Sequence, residues 1–209
     1  MSLVVALTVF ATIFPAELPD KTFVATLVLS TRFRPFGVWV GAAAAFVVQT
    51  LVAVIAGGLV GRLPKQPVRA VTAALFLLGA IVLLRLQDEP PAAEAREIDA
   101  EIDAEIDGTA GEAAPATSFR RAALTTFGVL FAAEWGDLSQ VLTAAFAAKY
   151  RDPVSVGVGA AAALLLVAAL GVIGGRSLLR VIPVVWIRRI AAALFFAFAV
   201  VTAIDAARA

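Results

Sequence analysis

The 209-residue sequence contains no cysteine and no histidine. Their absence removes thiolate and imidazole metal ligands, thiol nucleophiles, and any histidine-based triad or relay. It also leaves the redox compartment unreadable from disulfide usage. A metal ion meeting such a chain finds only oxygen: carboxylate, hydroxyl, amide or backbone carbonyl. That set suits hard cations such as calcium, magnesium or manganese. A Walker motif and a glycine-rich phosphate loop are also missing. Nothing in the chain points to a nucleotide-driven machine, an enzyme, a resident cofactor or a nucleic-acid partner.

Charge is scarce wherever the chain is apolar. Hydrophobic residues make up 61% of it, against about 45–50% in a soluble domain, and the mean hydropathy is +0.94. This composition is that of an integral membrane protein. The net charge of +1 hides a segregation: of 16 acidic residues, ten lie between Asp88 and Glu112. Asp152 and Asp205 account for two more, and the remaining four sit inside apolar runs. The N-terminal Met1-Ser2-Leu3-Val4 lacks a basic stretch, so the first apolar run reads as a transmembrane helix and not as a cleaved signal.

Six apolar segments are each long enough to span about 30 Å of hydrocarbon. They run from Leu3 to Leu29, Phe36 to Val60, Val68 to Leu86, Ala122 to Ala148, Val154 to Gly175 and Val184 to Ala207. Short loops between them make neighbouring helices antiparallel. The expected organisation is a first three-helix repeat over 1–87, an acidic flexible linker over 88–118 and a second three-helix repeat over 119–209. Within the linker, Glu97 to Asp107 repeats with period four. On a helix that spacing stacks like charges, so the segment reads as a solvated tether, with a cation-concentrating role as the alternative.

The four displaced acids form two copies of one pattern. Phe14-Pro15-Ala16-Glu17-Leu18-Pro19-Asp20-Lys21-Thr22 recurs as Phe131-Ala132-Ala133-Glu134-Trp135-Gly136-Asp137-Leu138-Ser139, followed by Gln140. The paired Phe, Glu, Asp and Thr/Ser positions are all 117 residues apart. The same offset pairs Thr26 with Thr143 and Gly57-Gly58 with Gly174-Gly175. A slip of one or two residues pairs Pro35 with Pro153, Gly41 with Gly159, Arg69 with Arg188 and Phe76 with Phe195. The chain is therefore internally duplicated. Three spans per copy make the second copy enter from the opposite side, as an inverted repeat. In transporters of that design the site lies at the midplane, where broken helices meet. Pro15 and Pro19 are expected to break the first helix and Gly136 the second.

A carboxylate at the centre of a membrane helix costs roughly 2.5–3.5 kcal/mol on translocon scales. Four of them at matched positions call for an ion or proton pathway. Glu and Asp three residues apart are expected on one helix face, with Thr22 and Ser139 adding hydroxyls and Gln140 an amide oxygen. If the halves face each other, Glu17, Asp20, Glu134 and Asp137 converge. Four such groups cannot all stay ionised and empty, so protons and a divalent cation would displace one another there. The alternatives are that the acids pair with Lys21 or cap broken helix ends. Lys21 stands four residues after Glu17 and is expected either to pair with it or to snorkel toward an interface. Thr26 and Thr143 either support the site or bond their own helix backbone. Gln49, with Leu166 at the repeat offset, is expected to bond across helices more than to meet an ion.

The twin pattern resembles the Glu-x-Gly-Asp-(Lys/Arg)-(Ser/Thr) motifs of the GDT family of cation/proton exchangers, over nearly all of the chain outside its linker. The resemblance implies manganese or calcium as the divalent ion, exchanged for protons. Pro19 stands where the family has Gly, and Leu138 where it has a basic residue. With all acids ionised the two motifs here sum to −3, against −2 for a member with both basic residues, so a divalent cation would leave −1 unless one carboxylate keeps its proton. Lys and Arg near the span ends number ten on the linker side and six on the other. That places the linker in the cytoplasm and both termini outside, in a bacterial-type plasma membrane. An exporter of another small solute and an intramembrane scaffold or assembly factor remain the alternative functions.

Overall fold

In hydrocarbon every backbone N–H and C=O must find a partner within the protein, which leaves an apolar chain rich in Ala, Leu and Val to form helices. The computed structural model describes residues 1–18, 21–85, 118–181 and 184–208, with residue 100 alone in the linker, and all their side chains but those of 21 and 175–188. The acidic linker thus lies outside the described residues. The helices are α1 (Leu3–Glu17), α2 (Lys21–Arg32), α3 (Pro35–Val60), α4 (Lys65–Arg85), α5 (Phe119–Ala133), α6 (Leu138–Tyr150), α7 (Pro153–Val181) and α8 (Val184–Ala207). No strand occurs among the described residues.

Local chemistry sets several of these limits. Pro35 and Pro153 open α3 and α7, where a missing N–H costs nothing. The Ser2 hydroxyl accepts from the Val5 N–H at the start of α1. The same end of the chain is tied to the start of α7: the Ser2 N–H donates to Asp152 Oδ2 at 3.1 Å and to Ser155 Oγ at 2.6 Å. Ser155 also donates to Asp152 through its N–H and its hydroxyl, which holds that carboxyl below the usual range.

Four helical stretches are long and apolar enough to cross a membrane: Pro35–Val60, Lys65–Arg85, Pro153–Gly174 and Arg189–Ala207. A fifth arises if Leu3–Glu17 and Thr22–Arg32, bent by 66° at their junction, form one broken span. The expected segment from Ala122 to Ala148 is not one helix. α5 has 15 residues and α6 has 13, about 22 and 20 Å of rise, and neither covers 30 Å alone. The chain between them turns at residues 134–137.

The two halves interlock. The most extensive packing joins α4 to α8, followed by α3 on α5 and α1 on α7. The last two contacts exchange under the repeat. On α3, a Cβ at Gly41 would strike the carbonyl oxygen of Ala123; on α7, a Cβ at Gly159 would strike that of Ala6. Ala6 and Ala123 are 117 apart, and Gly41 and Gly159 are 118 apart. Phe76 of α4 and Phe195 of α8, themselves repeat partners, are both fully buried and meet edge to face at 6.0 Å. Residues that touch their own counterpart lie where the two copies meet. Outside this core the helices present exposed Leu51, Ile55, Leu59, Val71, Leu78 and Ile173, an apolar surface suited to lipid.

Candidate cation site

Both acidic motifs fall at helix breaks. α1 ends at Glu17, which is 2% exposed. Pro15 lies inside α1, and the chain leaves the helix after Leu18, whose N–H still donates to the Phe14 carbonyl at 3.2 Å. Pro19 and Asp20 lie outside the described residues. α2 restarts at Lys21, so Glu17 and Lys21 do not share a helix face, and whether they pair lies outside what is described.

The second break is fully described. Glu134 caps the C-terminus of α5 with φ −95° and ψ 7°, and it is 7% exposed. Gly136 follows in the left-handed region at φ +82°, where a side chain is strained. Asp137 is the N-cap of α6, its Oδ2 accepting from the Ser139 N–H at 3.3 Å. Gln140 Oε1 accepts from the Gly136 N–H at 2.7 Å. Gly136 is thus the weak point that the sequence indicated. The expectation that Glu and Asp share a helix face is corrected: Glu134 ends one helix and Asp137 begins the next. The physical reason is that Asp137 satisfies the N–H groups of a new helix start better than it could serve a continuous one.

The break frees one backbone acceptor. The Glu134 N–H donates to Leu130 and the Trp135 N–H to Ala132, which bypasses the Phe131 carbonyl. Gln49 of α3 fills that gap, its Nε2 donating to Phe131 O at 3.2 Å. The expected interhelical bond of Gln49 is therefore present. Thr26 donates to the Thr22 and Phe23 carbonyls and Thr143 to the Ser139 carbonyl, so both threonines bond their own helices.

A cavity of about 10 Å³ opens beside Glu134, room for about one water. Its polar wall is Glu134, Ser139, Gln140 and Thr143 with Gln49 and Thr50 of α3; Phe46, Ala53 and Leu164 close it. Sequence reasoning passed over Thr50, although Phe46, Gln49, Thr50 and Ala53 recur at helical spacing along one buried stripe of α3. Glu17, Thr22 and Asp137 do not line this cavity. Thr22 is fully buried, with a hydroxyl that has no hydrogen-bond partner among the described residues. Leu138 turns elsewhere: its Cδ2 lies 3.4 Å from where a Cβ on Gly79 of α4 would stand. Among the described residues no three acids stand close enough to hold a metal together.

Each buried glutamate stands at a helix C-terminus, where the aligned peptide dipoles leave partial negative charge. A carboxylate added there attracts positive charge, and hydroxyl and amide groups around it offer hard oxygen.

Residues 5–90 and 122–209 match the sequence profile of a family described as the divalent cation/proton antiporter GDT1. The chain belongs to the GDT1 family. Membership makes it a multi-pass membrane protein of a transporter family and not an enzyme. GDT1-like protein sll0615 of Synechocystis sp. is 30% identical over 200 residues, covering 90% of each chain. The chloroplastic GDT1-like protein 2 of Oryza sativa is 30% identical over 207 residues, which is 92% of this chain and 59% of that protein. Protein PAM71 of Arabidopsis thaliana, also chloroplastic, is 30% identical over 207 residues and is covered to 55%. The chain thus spans a little over half the length of these plant relatives. No solved structure matches it.

Proposed function

We propose that this protein exchanges a divalent cation, manganese or calcium, for protons across the membrane. Glu17, Asp20, Glu134 and Asp137 are the carboxylates of its site, with Thr22, Ser139 and Gln140 around them. The observation that carries the reading is the burial of Glu17 and Glu134 at matched helix breaks, 117 residues apart. A cation entering such a site replaces the protons that otherwise neutralise the carboxylates, and protons returning expel the cation. That mutual displacement is antiport. The description of the family agrees with it.

The architecture proposed with this function is six spans as two inverted repeats, over 1–87 and 119–209, joined by the linker over 88–118. The exchanged Gly41–Ala123 and Gly159–Ala6 contacts support it, as does the Phe76–Phe195 contact between repeat partners. The linker faces the cytoplasm and the termini the outside, on the excess of Lys and Arg along the linker side.

The test is purified protein in liposomes with an interior pH dye and imposed manganese, calcium or magnesium gradients. Wild-type protein is expected to move protons against manganese or calcium. Glu17→Gln and Glu134→Gln are expected to abolish that movement while still reaching the bilayer. Wild-type flux in both variants sinks the shared carboxylate site. No cation-driven proton movement in the wild type removes the antiport reading and leaves another solute or a scaffold role.

A further inference from the structure

The wall of the Glu134 cavity contributed by α3 belongs to neither motif, and it is polar only in the first repeat. Thr50 is 6% exposed, lines the cavity, and its Oγ1 has no hydrogen-bond partner among the described residues. A buried threonine in an apolar helix ordinarily bonds the carbonyl one turn back, as Thr26 and Thr143 do here. Thr50 does not, so its oxygen is unspent beside a carboxylate. Its neighbour Gln49 commits its amide nitrogen to the Phe131 carbonyl, which leaves the amide oxygen as the atom that can serve a cation. At the one-residue slip that pairs Gly41 with Gly159, the counterparts on α7 are Val167 and Ala168, both fully buried.

We propose that Thr50 is a direct oxygen ligand of the transported cation, and that the ion rests in the second-motif half of the site, beside Glu134. Gln49 is a positioning residue that holds the end of α5 where Glu134 can share that ion. The two half-sites then differ chemically. The half at Glu134 offers neutral oxygen from α3, and the half at Glu17 has no equivalent from α7. This inference rests on the cation/proton reading above and deepens it by naming where the ion sits.

The test measures manganese binding to the purified full-length chain, from the electron paramagnetic resonance signal of free manganese, with no gradient and no flux. Thr50→Val keeps shape and β-branching but removes the oxygen, and is expected to weaken manganese affinity by about tenfold or more. Thr50→Ser is expected to stay within about threefold of wild type. Thr126→Val is the control: Thr126 is fully buried on α5, also lacks a hydroxyl partner among the described residues, and does not line the cavity. It is expected to bind as wild type does. Thr50→Ala serves as a second deletion if Thr50→Val does not purify as a monodisperse protein. Equal binding by wild type and the Thr50 deletion, with binding lost in Glu134→Gln, overturns the ligand and leaves the carboxylate site intact. Equal losses in Thr50→Val and Thr126→Val overturn it as well, since packing would then explain both. Absence of manganese binding by wild type removes the cation reading itself, and the ligand with it.

Discussion

Glu134, Gly136, Asp137 and Gln140 make their break by dividing backbone duties among them. Asp137 receives the N–H of Ser139, the second residue of the new helix, Gln140 receives that of Gly136, and Gly136 turns the chain at φ +82°. An alanine at 136 must adopt a left-handed conformation costing roughly 1–2 kcal/mol, with no contact to repay it, since nothing lies within 4 Å of its Cβ position. Gly136→Ala is therefore expected to lower the unfolding midpoint in detergent, and an unchanged midpoint would show that the turn relaxes freely. The acids and the glycine were legible because each is out of place in an apolar run. Leu138 was legible only as a departure from the family motif. Its Cδ2 lies 3.4 Å from where a Cβ on Gly79 of α4 would stand, and it is not among the residues that line the cavity beside Glu134. Thr50 and the partner of Gln49 were not legible, because the Phe131 carbonyl lies 82 residues away in sequence. No local pattern records which backbone acceptor a distant break will free.

At the scale of helices, the duplication told more than periodicity did. Hydropathy gave the extent of α3, α4 and α8 within three residues and ended α7 six residues early, at Gly175 instead of Val181. It merged α1 with α2 and α5 with α6, because apolar composition continues through a break that a few polar residues make. Matched glycines carried the packing. Gly41→Ala and Gly159→Ala each place a methyl against a backbone carbonyl of a facing helix, which cannot swing aside as a side chain would. Each substitution is expected to cost about 1–3 kcal/mol, and the two costs should agree because the contacts are counterparts. Gly58→Ala, with nothing within 4 Å of the added Cβ, should be neutral or gain up to about 1 kcal/mol of helix propensity. Thermal unfolding of the three variants in one detergent would measure this. A large loss at Gly41 with none at Gly159 would mean that the halves are not packed as equivalents.

In the whole molecule the helices before and after the acidic segment 88–118 must be held together. The α4–α8, α3–α5 and α1–α7 contacts all cross between the halves, so the association is carried by helix packing. If residues 88–118 act as the flexible tether that their composition leads one to expect, they contribute mainly a loop-closure entropy, which changes by only about 0.6 kcal/mol for each doubling of length. Its charge is a separate matter. Ten carboxylates between Asp88 and Glu112 raise the local cation concentration at low ionic strength and lose that effect within about 10 Å at 0.1 M salt. Replacing Glu97 to Asp107 with a Gly/Ser tract of equal length is therefore expected to leave maximal cation-driven proton flux within about twofold. The measurement is initial rate against manganese concentration in liposomes, at low and at high salt. A weaker apparent affinity confined to low salt would assign the tether a concentrating role outside the site. Loss of maximal rate at saturating cation would place the acidic segment in the transport pathway, and the division into two repeats and a passive tether would be wrong.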